Sequence, residues 1–143
     1  MVDIYTRYEG GLRCTAKHGP SETSFTTDAP VDNHGRGESF SPTDLVATAL
    51  GTCALTTMGI LAQKRGWTID GMEAHVKKVM TQELPRRIAK LPVTITVPAE
   101  VAGRLDLATR AELENTANNC PVKLSIHAQI EAPITFAWGS AET

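Results

Sequence analysis

The sequence predicts an α+β fold, with N-terminal antiparallel strands, a buried central helix, then further strands and a second helix. Three observations carry this reading. Short extended runs broken by Gly and Pro fill residues 1–40. A sharply started, almost wholly apolar helical segment runs from Ser41 to Gly66. Alternating strand patterns and one more helical segment occupy the remainder. At 143 residues the chain suits a single domain over 1–143, since a chain of that length buries roughly two-thirds of its unfolded surface.

The runs "VDIYTRY", "LRCTAKH" and "ETSFTTD" are separated by "EGG" and "HGPS", turn formers that fold them into a meander. The loop "APVDNHGRGESF" leads into the helix. There Ser41 is placed to cap, Pro42 to occupy the first helical position, and Asp44 to reach back to the Ser41 amide. Leu45, Val46, Ala49, Leu50, Cys53, Ala54, Leu55, Met58, Ile60 and Leu61 surround this helix, while Ala49, Gly51, Ala54 and Gly59 keep it thin. Such a pattern expects cover on several sides. "WTIDGMEAHVKKVMT" and "RRIAKLPVTITVP" read as two longer strands, the second ended by Pro98. "LDLATRAELENTANN" reads as a helix starting near Asp106 and fading at Asn118 and Asn119. Cys120 before Pro121 starts one more short helix, and the chain returns as a terminal strand through Ile130.

With 14 Lys and Arg against 16 Asp and Glu, the net charge of −2 gives no electrostatic basis for a nucleic acid or anionic membrane partner. The start "MVDIYTRYEG" lacks the basic and apolar regions of a secretory signal, so a cytoplasmic location is expected. The polar residues Thr48, Thr52, Thr56, Gln63 and Lys64 make the apolar segment a poor membrane span and a good buried helix. Cys14, Cys53 and Cys120 are odd in number and widely spaced, which argues against a structural disulfide framework. His18, His34, His75 and His127 show no ligand spacing, and no Gly-rich turn resembles a phosphate loop. Neither a metal nor a cofactor is therefore expected.

A thiol reacts as thiolate, and an apolar helix interior raises a thiol pKa, so by itself Cys53 reads as a small core residue. Cys120 sits at a predicted helix N-terminus, where backbone dipoles favour a thiolate. Trp67, Phe136 and Trp138 read as packing residues.

Taken together, "SPTDLVATALGTC" and "NNCPVKLS" resemble the OsmC/Ohr family of thiol-dependent hydroperoxide-resistance proteins, over nearly the entire chain. The resemblance implies an intertwined homodimer with equivalent sites at the subunit interface. It implies that Cys53 is the peroxidatic cysteine and Cys120 the resolving one, with a small hydroperoxide as substrate and an external dithiol as reductant. It also implies that Arg13, in "YEGGLRC", stands beside the reactive thiolate; Arg36, in the loop before the helix, is the substitute if Arg13 points outward. One departure is visible. The organic-hydroperoxide branch carries a glutamate after the helix-starting proline, where this chain has Thr43. Two other readings on the same scaffold stay open, a binding protein for a small apolar ligand and a redox sensor.

Overall fold

The computed structural model describes residues 1–139, which form two compact units, Met1–Val46 and the chain from Ala47 on. In the first unit β1 (Ile4–Gly10), β2 (Arg13–His18) and β3 (Ser24–Thr27) pair in that order as an antiparallel meander. A bulge between Tyr8 and Gly10 leads into the first turn and sets Gly10 opposite Arg13. The loop after β3 contains a 3-10 turn, Val31–Asn33, and is closed at its base. Asp28 donates its N–H to the Phe40 carbonyl at 3.1 Å, and the Ser39 hydroxyl donates to the Thr26 carbonyl at 2.7 Å. Gly35 makes the loop path possible, because a Cβ there would overlap the Ala29 carbonyl.

Helix α1 (Pro42–Arg65) begins in this unit with the predicted reciprocal cap. Asp44 N–H donates to Ser41 Oγ at 3.1 Å, and Ser41 N–H donates to Asp44 Oδ2 at 2.8 Å. Two of the amides that a helix start leaves unpaired are thereby satisfied.

In the second unit α1 buries Ala47, Leu50, Gly51, Ala54, Met58 and Ala62, which repeat at the three- and four-residue spacing of one helix face. Over its most apolar 18 residues the mean hydropathy is 1.8, so by length and composition alone α1 would qualify to cross a membrane. A third of that window, 33%, is buried along the core stripe. Strand β7 (Val93–Val97) lies between β4 (Glu73–Val76), its antiparallel neighbour, and β8 (Ile134–Trp138), which it meets in parallel. A two-stranded ribbon pairs β5 (Val79–Met80) with β6 (Ile88–Lys90). The parallel crossover from β7 to β8 carries α2 (Ala99–Ala102), α3 (Leu107–Asn118) and α4 (Pro121–Ser125). Leu50, Met58, Leu91, Val93, Ile95, Val97 and Leu113 form the fully buried centre.

The α+β class, the meander, α1, α3 and α4 agree with the sequence reading, and Asp106 caps α3 by accepting the Thr109 N–H at 2.8 Å. Three details differ. Each of the two longer strands is broken into two short ones. Pro92, which has no N–H to give a ladder, falls between β6 and β7. The helix α2, a single turn after Pro98, follows where the sequence reading placed only a strand end. The terminal strand begins at Ile134 rather than running through Ile130, because Ile130 N–H closes a turn onto the His127 carbonyl and Pro133 follows.

A Cβ added at Gly51 would lie 2.9 Å from Val76 Cγ2. Overpacking of this kind costs about 1–3 kcal/mol, against at most about 1 kcal/mol of helix propensity gained by alanine. Gly51→Ala is therefore expected to lower stability, read as an earlier urea unfolding midpoint at unchanged slope.

Candidate functional site

Cys53 lies about three turns into α1 and is half-buried. The hydroxyl of Thr57, one turn on, donates to the Cys53 carbonyl at 2.5 Å and stands 3.9 Å from its sulfur. With its proton on the carbonyl, that hydroxyl faces the sulfur as an acceptor.

Cys120 is placed by the short joint between α3 and α4. Helix α3 ends as the Asn119 N–H bonds back to the Asn115 and Thr116 carbonyls. Cys120 N–H then donates to the Ala117 carbonyl at 3.3 Å, and Pro121 opens α4 with Cys120 as its cap residue. Lys123 Nζ fastens the joint from the far side by donating to Asn118 Oδ1 at 2.7 Å. The Cys120 side chain is fully buried.

The fold brings these two thiols close enough for Cys53 to influence the ionisation of Cys120. Both are free, as is the half-buried Cys14 on β2. Burial, first, and then the neighbouring Cys53 push the Cys120 thiol above its ordinary pKa, while the amides of Lys123 and Val122 pull the other way. The helix start predicted to favour a Cys120 thiolate is present, but its one-turn effect is outweighed by desolvation. Of the pair, Cys120 is the residue held neutral and Cys53 is the one solvent reaches.

Arg13 belongs to the first unit, at the start of β2. Its guanidinium is not a solvated strand-face charge: Nη2 donates to Asp28 Oδ2 at 3.4 Å and is paired with Glu38 Oε2. Asp28 is 1% exposed, and its Oδ2 also accepts the Glu38 N–H at 3.1 Å. Its Oδ1 has no hydrogen-bond partner among the described residues. The Glu38 amide, then the Arg13 charge, hold the Asp28 carboxyl below the ordinary carboxylate value against the opposing effect of burial. Arg36 is exposed. Thr43 Oγ1 lies 3.2 Å from Ser41 Oγ, within the helix cap.

Asp28 and Glu38 went unread in the sequence, since no spacing rule links them to Arg13. Thr57 was legible, being four residues after Cys53 on the same helix face. Phe136 and Trp138 stack at 5.6 Å, the Trp138 indole N–H donates to Glu114 at 2.7 Å, and Arg110 lies over the Trp138 ring. Among the described residues no group of three or more His, Cys, Asp and Glu is arranged to hold a metal ion.

Comparison with known proteins points in one direction. The profile of a family described as OsmC-like protein matches residues 35–135. A crystal structure from Psychrobacter arcticus 273-4, of a protein described as an osmotic stress induced and detoxification response protein, is 43% identical, covers 96% of each chain and superposes with a TM-score of 0.87. The organic hydroperoxide resistance protein OsmC of Legionella pneumophila is 14% identical over 96% of each chain, with a TM-score of 0.71. An organic hydroperoxide resistance protein of Elizabethkingia anophelis, with thiocyanate bound, is 14% identical over 96% of this chain and 95% of its own, with a TM-score of 0.74. No curated protein matches the chain.

The contrast between the two thiols has a direct readout. Limiting alkylation of the folded protein near neutral pH, followed by peptide mass mapping, is expected to label Cys53 at least about tenfold faster than Cys120, because burial and the raised pKa both hold Cys120 back. Denaturant should erase the difference. Because the Cys120 pKa is raised on folding, its contribution to stability is present below the pKa of an unfolded thiol and is lost as pH rises through the folded value.

Proposed function

Since the chain belongs to the OsmC-like family, we propose that it is a cysteine-based peroxidase of oxidative stress defence, reducing organic hydroperoxides or hydrogen peroxide through Cys53 and Cys120. The observation that carries this reading is the half-buried Cys53 thiol near enough to a buried Cys120 thiol to raise its pKa. A peroxidatic sulfur must meet substrate, and a resolving sulfur must be kept from it.

The chemistry follows in three balanced steps. The Cys53 thiolate attacks the terminal oxygen of the hydroperoxide, the O–O bond breaks, and the alkoxide leaves and takes up a proton as the alcohol. Cys53 is now a sulfenic acid. The Cys120 sulfur attacks Cys53 Sγ, the sulfenic oxygen leaves as water with the Cys120 proton, and a Cys53–Cys120 disulfide forms. An external dithiol then returns two electrons and two protons by disulfide exchange, and leaves oxidised.

Arg13 is the fixed positive charge assigned to the Cys53 thiolate and the incoming peroxide, a guanidinium being unable to lose its charge and offering several donors. The working form is a homodimer built around α1, where the apolar side chain of Ile60 remains 51% exposed. No cofactor or metal takes part, and the protein acts in the cytoplasm without nucleic acid or membrane.

Replacement of each cysteine tests the order of roles. Cys53→Ser is expected to abolish peroxide consumption with a dithiol reductant. Cys120→Ser should support one oxidation event and then accumulate Cys53 sulfinic acid, detected by mass spectrometry. Equal residual turnover in both variants contradicts the assignment. Disulfide formation without turnover in the wild type points instead to the redox sensor. Sedimentation should return about twice the 15.4 kDa chain mass, and a 15.4 kDa species contradicts the dimer.

A further inference from the structure

We infer that Asp28 is a positioning residue for Arg13, its buried carboxylate fixing the guanidinium that serves Cys53; this rests on the assignment of Arg13 made above. Asp28 and Glu38 both pair with Arg13, but they are unlike. The Glu38 side chain is 55% exposed, and exposed ion pairs do little to restrain a long side chain. Asp28 is 1% exposed, is fixed by its own N–H to the Phe40 carbonyl, and presents Oδ2 to both the Glu38 amide and Arg13 Nη2.

The choice of residue carries the argument. Closing the loop onto the Glu38 amide needs an acceptor, and asparagine would supply one without a buried charge. The sequence instead places an ionisable side chain there, with Oδ1 unpaired among the described residues, an arrangement that costs free energy unless the charge is used. Arg13 is the cation within hydrogen-bond reach of that carboxylate. A negative group held rigidly by the main chain aims a flexible cation better than an exposed glutamate does, and it keeps part of the guanidinium's donor fork free.

A double-mutant cycle tests this, with two readouts: the second-order rate of peroxide reduction by the reduced protein, and the pH midpoint of Cys53 alkylation. Arg13→Ala and Asp28→Asn are each expected to slow peroxide reduction at least about tenfold, a shift of roughly one pH unit in the alkylation midpoint being the matching change. Asp28→Asn should add nothing further in the Arg13→Ala background, and Glu38→Gln should lose less than about threefold. Asp28→Ser, whose hydroxyl still accepts from the amide, repeats the test if the asparagine variant does not fold.

An Arg13→Ala loss alongside an unchanged Asp28→Asn rate overturns the inference about Asp28 alone. An Arg13→Ala rate equal to wild type overturns the Arg13 assignment and this inference with it. A full, additive Asp28→Asn loss in the Arg13→Ala background shows a structural role and also overturns it. So does a Glu38→Gln loss as large as that of Asp28→Asn.

Discussion

A methyl group at Gly51 would stand 2.9 Å from Val76 Cγ2, so the separation of α1 from β4 is set by the absence of a side chain. That close approach sets how α1 meets β4. It lets Leu50, Ala54 and Met58 pack to zero exposure in the same core as Val93, Ile95 and Val97 of β7, and it fixes the rotation of α1 about its axis. Cys53, two residues beyond Gly51, is thereby turned off the buried stripe and left half-buried. With about 100° per residue in an α-helix, a register one residue different would bury this thiol or expose it fully.

Two nearly inaccessible ionisable groups then show how similar burial accompanies opposite pKa shifts. Cys120 loses solvent and receives the N–H groups of Val122 and Lys123, but also a second thiol, and stays neutral. Asp28 loses solvent equally and receives a main-chain N–H and a guanidinium, and stays ionised. Desolvation raises both, so the donors each group is given decide the direction of its net shift.

Much of this was legible in the sequence because it is local. The Ser41, Pro42 and Asp44 cap, the Asp106 cap and the Cys120-Pro121 helix start all lie within a few residues, where main-chain geometry leaves few alternatives. The breaks at Lys77–Lys78 and at Pro92 were less legible, because alternation continues through Ile88, Leu91, Val93, Ile95 and Val97, all of which are buried although they belong to two strands and a bend. The pairing of Cys53 with Cys120 came from family resemblance, not from pattern. The Arg13 partners were invisible because a strand start, a strand end and a loop contribute one residue each. Likewise, the dipole argument for Cys120 named a true local feature and missed the burial that outweighs it.

The loop between β3 and α1 shows why such a cluster has no linear signature. Gly35 must lack a side chain because the Ala29 carbonyl occupies the space a Cβ would need. That fixes the path by which the chain brings the Glu38 N–H to Asp28 Oδ2. The same oxygen receives Arg13 Nη2, so the bond that helps close the loop and the bond that holds the cation share one acceptor. A change in the path of residues 29–37 therefore reaches Arg13 without touching it, through the position of a single carboxylate oxygen. The length and glycine content of this loop are thus constraints on the charge at the start of β2 as much as on the loop itself.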